Sequence, residues 1–563
     1  MKQISVVLTL SLIILFAFQN CGDPFNSNLS MQSSSSLVDT KKFQCMNPLE
    51  RGKSNKSFLR LSKLEVENVL NDLFGSALVS QVSQELKQFP TDVNEKPSHF
   101  LEVLTSSHFD AMLKISEKLS GIAANDSGFV NRYSSCTNLN TTNCLREFLT
   151  NFMPRSLRNS IPSTEVDSLV STYNNDSTVD AQVAIMSILL RPEFLMHTEM
   201  GFENGTRLRL NDYEVASRIS FQVIGSIPDD TLWKAAQNGQ LKTLEQVRGH
   251  VRRLLTSQRG RDKVTRLFKT WMSVEGTPTV AATPGHINGI DLDSYYSSAI
   301  QDFEQFVEYV VFDKAGKFED LFLDKSVFPQ DQDLASVYGS SIWNSGEPQL
   351  GTNGHQGILL RPATLVGGEN STPIILRGVQ VRTEILCDYI PVPNADVINA
   401  RDDNIHPDEI DPLLNPHRDI VKNMTKSQSC MGCHSQINPL GFALEDFDSL
   451  GRRQQMEHVY DMNEAQVASF PVSSFALNPR IEQDGPQELQ NAMDLNTHIA
   501  QSKKVRSCFA EKLTEHIYKR SIASEDNCAL SEKESTLLNK DLNILDVLTI
   551  NVANEDIFWR AKE

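Results

Sequence analysis

The most regular pattern along this chain is a helical recurrence of apolar positions, opened and closed by particular polar residues. In RLSKLEVENVLNDLFGS, Val66, Val69, Leu70 and Leu73 fall on one helix face. Ser62 followed by Glu65 predicts a capping box, Leu61 and Val66 a hydrophobic staple, and Gly75 the stop. RLNDYEVASRISFQVIGS uses the same logic with Asn211, Glu214, Leu210 and Val215. Thr243 and Gln246 open a third helix, with Val247, Val251, Leu254 and Leu255 helically spaced and Arg252 and Arg253 on a solvated face. Residues 276–290 are rich in Gly and Pro and predict a linker; SAIQDFEQFVEYVVFDK returns to helix. From Gly339 the chain becomes rich in Gly and Pro. Within that region RGVQVRTEILCDYIPVPNADV predicts a helix ended by Pro391 and Pro393. VRSCFAEKLTEHIYKR and NILDVLTINVANEDIFWRA predict a last helical module. The expected class is mainly α, with several helical modules and one loop-rich module.

The first residues change the picture of where the chain works. Lys2 precedes an apolar run from Ile4 to Phe18, the length of a signal-peptide core and too short to span a bilayer comfortably. Cys21 follows almost at once. This resembles a bacterial lipoprotein signal, although Asn20 stands where such signals carry a small residue. The resemblance implies removal of residues 1–20, lipidation of Cys21, and a polar tether over 21–55. The expected location is the cell envelope, facing the periplasm or the surface, most naturally at the outer membrane. Export also permits disulfides. Of nine cysteines, Cys136 and Cys144 flank a short polar loop, and Cys508 and Cys528 flank a helix and turn, so both pairs are expected as local bridges. The partners of Cys45 and Cys387 stay open. A formal charge of −18 argues against nucleic-acid backbones and suits a cationic protein partner.

The candidate chemistry lies in SCMGCHSQINPLGFALEDFDSLGR. Cys430 and Cys433 are three apart and His434 follows directly, the spacing of a covalent haem attachment. Two sulfurs on one helical turn can take the two haem vinyl groups, and the adjacent imidazole can take the iron. Zinc is a rival that needs two further ligands, and no second Cys-x-x-Cys follows. A thioredoxin-like dithiol is a second rival, without the βαβ pattern around it. No Walker loop, HExxH or Ser-His-Asp pattern appears.

This segment resembles the cytochrome module of the planctomycete-type c-type cytochrome family of exported proteins, in which helical domains of unknown function surround a CxxCH. RLSKLEVENVLNDLFG, CLREFLTNFMPRSLRNSIPSTEVDSLVSTY, LNDYEVASRISFQVIGSIPDDTL, GILLRPATLVGG and SCFAEKLTEHIYKRSI are similar to its other domains, in family order. The resemblance implies modules over 56–130, 131–205, 206–345, 346–475 (the cytochrome c-like one) and 476–563. It also implies one covalent haem c and an unidentified redox partner. The chain departs from the family at Asn438-Pro439-Leu440-Gly441, where Asp-Pro-x-Gly is usual, and at Met424, where many members carry a histidine. The sixth iron ligand stays open. Met424 and Met456 lead, followed by Met462, Met493, His417 and His458, each with core packing or a solvated position as the alternative. A looped stretch is expected after the CxxCH, and a turn at INPLG, as proline segments make near the haem in related cytochromes, would bring the carbonyl of Pro439 to the second ring nitrogen of His434 as its acceptor. Three functions follow: electron transfer at the envelope, a haem-dependent oxidative enzyme of peroxidase or oxygenase type, or a structural surface protein.

Overall fold

The computed structural model describes residues 43–48, 58–91, 104–172, 178–274, 282–392, 407–461, 463 and 465–562. The expected signal peptide, Cys21, most of the tether, and Met462 lie outside the described residues. The three capping boxes form as their sequences dictate. Ser62 opens the Lys63–Phe74 helix, Asn211 the Asp212–Ile224 helix and Thr243 the Leu244–Leu255 helix. In each, the cap side chain takes the third backbone N–H while Glu65, Glu214 or Gln246 reaches back to the cap. Each such cap stabilises its helix by ~1 kcal/mol.

The apolar faces of these helices collect into two main cores. One draws on residues from Leu61 to Ile227, and the larger on residues from Leu210 to Phe558. Strands are few and short. Trp559–Ala561 returns to pair antiparallel with Arg207–Arg209, just before the Asp212–Ile224 helix. Met456–Tyr460 and Gln466–Pro471 form a hairpin after the CxxCH. No helix among the described residues is long and apolar enough to cross a membrane.

Three disulfides staple the fold. Cys136 and Cys144 are bridged, as their loop predicts. The expected Cys508–Cys528 bridge is not made. Cys508 pairs with Cys387, and Cys528 with Cys45. The reason is the antiparallel packing of the Lys503–Tyr518 and Asn527–Leu538 helices. Ser507 bonds Glu534 and Arg506 reaches the carbonyl of Leu537, so Cys508 lies beside the far end of the second helix. Cys528 sits at that helix's first turn, roughly 13 Å away along its axis by the helical rise. Neighbours in sequence are therefore at opposite ends of the hairpin.

Candidate haem-attachment site

The site is built on the Gln428–Ala443 helix. Ser427 caps it by accepting the backbone N–H of Cys430. The helix runs on through Pro439, where the sequence suggested a turn and a looped stretch. Cys430, Cys433 and His434 therefore occupy its first turns, all half-buried. Among the described residues these two cysteines are the free ones; the other six are in bridges. Burial, and then the neighbouring Cys430, push the Cys433 thiol up, which keeps it protonated.

His434 is oriented from behind. Its Nδ1 lies 2.9 Å from Oδ1 of Asn438, one helical turn on. Asn438 in turn donates from Nδ2 to Oγ1 of Thr425 at 2.9 Å. The acceptor is thus the Asn438 amide, not the Pro439 carbonyl that the family resemblance suggested. The i,i+4 spacing of His434 and Asn438 was the available sequence signal. With Nδ1 engaged, Nε2 is the ring nitrogen left for a metal. Two free thiols three residues apart and an imidazole with one open nitrogen form a donor set that fits a covalently held haem. Structural zinc fits less well. No group of three or more His, Cys, Asp or Glu side chains among the described residues is gathered to hold a metal ion.

The helix is held by close backbone packing and buried arginines that the sequence reading did not single out. The Ile374–Gln380 helix crosses it with a glycine from each side at the contact. A Cβ on Gly441 would stand 2.0 Å from the carbonyl oxygen of Ile374, and one on Gly378 would stand 2.3 Å from that of Ile437. Only hydrogen fits at either position. Arg377, 3% exposed, spreads its guanidinium over the carbonyls of Leu444, which caps the C-terminal end of the CxxCH helix, of Phe447 and Asp448 just beyond it, and of Leu365 at the end of the Pro362–Leu365 helix. The Leu444 carbonyl stands at the negative end of the helix dipole, so a cation is well placed there. Arg382, fully buried, bonds the carbonyl of Gln436 at 2.8 Å, that of Pro479 at 2.7 Å, and Asp388 at 3.0 Å. Below the helix end, Glu445 accepts from Arg418 at 2.7 Å. Burial still pushes its carboxyl up to about 8, with Arg418 opposing.

The remaining candidates are spread out. Met424 ends the His417–Met424 helix and is half-buried. Met456 is 40% exposed on the hairpin. Met493 packs against the larger core. The His417 ring is pushed down to about 4 by burial, and His458 faces Ser469 across the hairpin.

Two family models match the chain. Residues 210–340 match PSD4, a protein of unknown function (DUF1592), and residues 355–457 match PSCyt3, a protein of unknown function (DUF1588). Both are planctomycete cytochrome-associated domains, and the second match contains the CxxCH helix and the helix crossing it. No curated protein and no solved structure matches significantly.

Proposed function

We propose that this chain is an exported, lipid-anchored mono-haem c-type cytochrome that passes single electrons at the cell envelope. The observation that carries the reading is the pair of free thiols on one helical turn beside a histidine with one open nitrogen, in a chain whose other described cysteines are all bridged. Three disulfides support an oxidising compartment, in keeping with export. The two family matches support the cytochrome association.

In this reading Cys430 and Cys433 hold haem through thioethers, and Nε2 of His434 takes its iron. A haem held there supplies one-electron exchange. The chain's part is to fix the imidazole through Asn438 and to hold the helix that carries it through the packed helix pair, Arg377 and Arg382. Of the two leading methionines for the sixth position, Met424 is disfavoured. Thr425 stands on the Nδ1 side of His434, so the adjoining Met424 backbone starts behind the ring, away from Nε2. The formal charge of −18 suits a cationic redox partner. Anchoring is assigned to Cys21, and the Cys21→Ser protein is expected to leave the membrane fraction.

The deciding experiment is a denaturing gel of the exported protein stained for haem, with oxidised and reduced spectra of the native protein. Covalent haem with a low-spin, six-coordinate spectrum is expected. A stain-negative protein carrying zinc would sink the proposal. A second reading, oxidative catalysis, is favoured by a cavity of about 350 Å³ on the other face of the Ile374–Gln380 helix, lined by Tyr296, Ala299, Leu376, Gln380 and Glu384. A high-spin spectrum that responds to peroxide would select it.

A further inference from the structure

The hydrogen bonds behind His434 admit one consistent polarity. The hydroxyl of Thr425 donates to the carbonyl of Val421 at 2.8 Å, one turn back in its own helix. Its Oγ1 then has only lone pairs to offer across the gap. Asn438 must meet it with the Nδ2 amide, which turns Oδ1 towards the imidazole. An amide oxygen can only accept. Nδ1 of His434 therefore carries the proton and Nε2 the free lone pair. Asn438 is 6% exposed and Thr425 4%, so bulk water does not compete for either group. A buried amide whose flip would break two bonds is held strongly.

We propose that Asn438 and Thr425 are positioning residues that lock His434 in the Nδ1–H tautomer and keep it, as an iron ligand, a neutral imidazole of moderate basicity. The redox part of the inference rests on the haem reading above; the tautomer part does not. A carboxylate in place of the amide would pull on the Nδ1 proton, make Nε2 a stronger donor and favour ferric iron. The amide exerts a weaker pull and leaves the potential higher. Thr425 acts at one remove, because without its hydroxyl the amide can turn and present N–H to the ring. The imidazole proton would then move to Nε2, the position the metal needs.

The test uses Asn438→Asp, Thr425→Val and, as the conservative control, Thr425→Ser in the full chain. In the haem-loaded protein, Asn438→Asp is expected to lower the midpoint potential at unchanged covalent haem content. Thr425→Val is expected to introduce a high-spin fraction, and Thr425→Ser to behave as the parent. Unchanged potential and spin state in both Asn438→Asp and Thr425→Val, with haem bound, would overturn the redox part. The second measurement needs no haem. In a Cys430→Ala/Cys433→Ala chain labelled with ¹⁵N-histidine, the His434 ring shifts should report Nδ1–H, with mixed tautomers after Thr425→Val. An Nε2–H ring in the parent background overturns the lock itself. A haem-free wild-type protein with an Nδ1–H ring would remove the electron-transfer reading and leave the lock standing.

Discussion

Adding one methyl group at Gly441 should loosen the CxxCH helix, whereas adding one at Gly432, about two and a half turns earlier in the same helix, should tighten it. The new Cβ of Gly441→Ala would lie 2.0 Å from the carbonyl oxygen of Ile374 and 2.8 Å from its carbon, and real Cβ atoms essentially never come closer than 3.0 Å to such neighbours. The obstacle is backbone, so no side chain can swing aside. The helices must part by at least about 1 Å along that line, and a gap of that size forfeits a quarter to a half of each dispersion contact it opens. Ile374, Ile437 and Leu440 are all buried and would be disturbed. Overpacking of this kind costs about 3 kcal/mol. Gly432 is exposed and has nothing within 4 Å of its built Cβ, so alanine there gains helix propensity of about 0.5–1 kcal/mol. Hydrogen exchange followed by mass spectrometry reads the difference locally. Amides of Gln428–Ala443 should exchange about 100-fold faster in Gly441→Ala and a few-fold slower in Gly432→Ala. Equal, small effects in the two variants would refute backbone-to-backbone packing at this crossing.

Three further outcomes follow from the same structure. Glu445, pushed up to about 8 from the ordinary 4.5, keeps a proton in the folded chain that the unfolded chain releases. Its contribution is therefore fully present below about 4.5 and lost as the pH rises through 8, so Glu445→Gln should flatten the decline in melting midpoint over that window, by roughly 2–4 kcal/mol in stability. Arg377→Lys keeps the charge but cannot reach carbonyls on four residues, and the unmet acceptors should cost about 3 kcal/mol, read as a lower melting midpoint; an unchanged midpoint would contradict the role given to the guanidinium. Peptide mapping without reductant should recover Cys45 linked to Cys528 and Cys387 linked to Cys508; a Cys508–Cys528 peptide would show that the helical hairpin is wrongly paired.

What the sequence made legible was local. The caps at Ser62, Asn211 and Thr243 need only residues three apart, and all three form. The CxxCH likewise lies on a helical turn because its spacing and its Ser427 cap are contained in a few residues. What stayed hidden depends on distant parts of the chain meeting. Nothing near Gly441 announces that Ile374 will arrive against it, and nothing near Cys508 announces Cys387. Asn438 is an intermediate case. Its distance of four residues from His434 was visible, but the adjacent proline drew attention to the backbone, and the partner that orients the amide, Thr425, belongs to another helix. The expected turn at Pro439 failed for a related reason. The packing of Gly441, Leu440 and Ile437 holds a helix that the proline alone would discourage.

The two long disulfides are nested. Cys45–Cys528 closes one covalent ring, and Cys387–Cys508 closes a smaller one inside it that contains Cys430, Cys433 and His434. A protease that cuts once anywhere between 46 and 527 therefore releases nothing, because the two pieces stay joined through a bridge. Two cuts that flank the CxxCH segment release it only if both fall between 388 and 507, or if one falls between 46 and 386 and the other between 508 and 527. A cut on each side of Cys387, for example, leaves the segment linked through its own remaining chain to Cys508. The segment proposed to carry the cofactor thus lies inside two covalent rings at once, and its retention after a single nick depends on surroundings oxidising enough to keep the bridges closed.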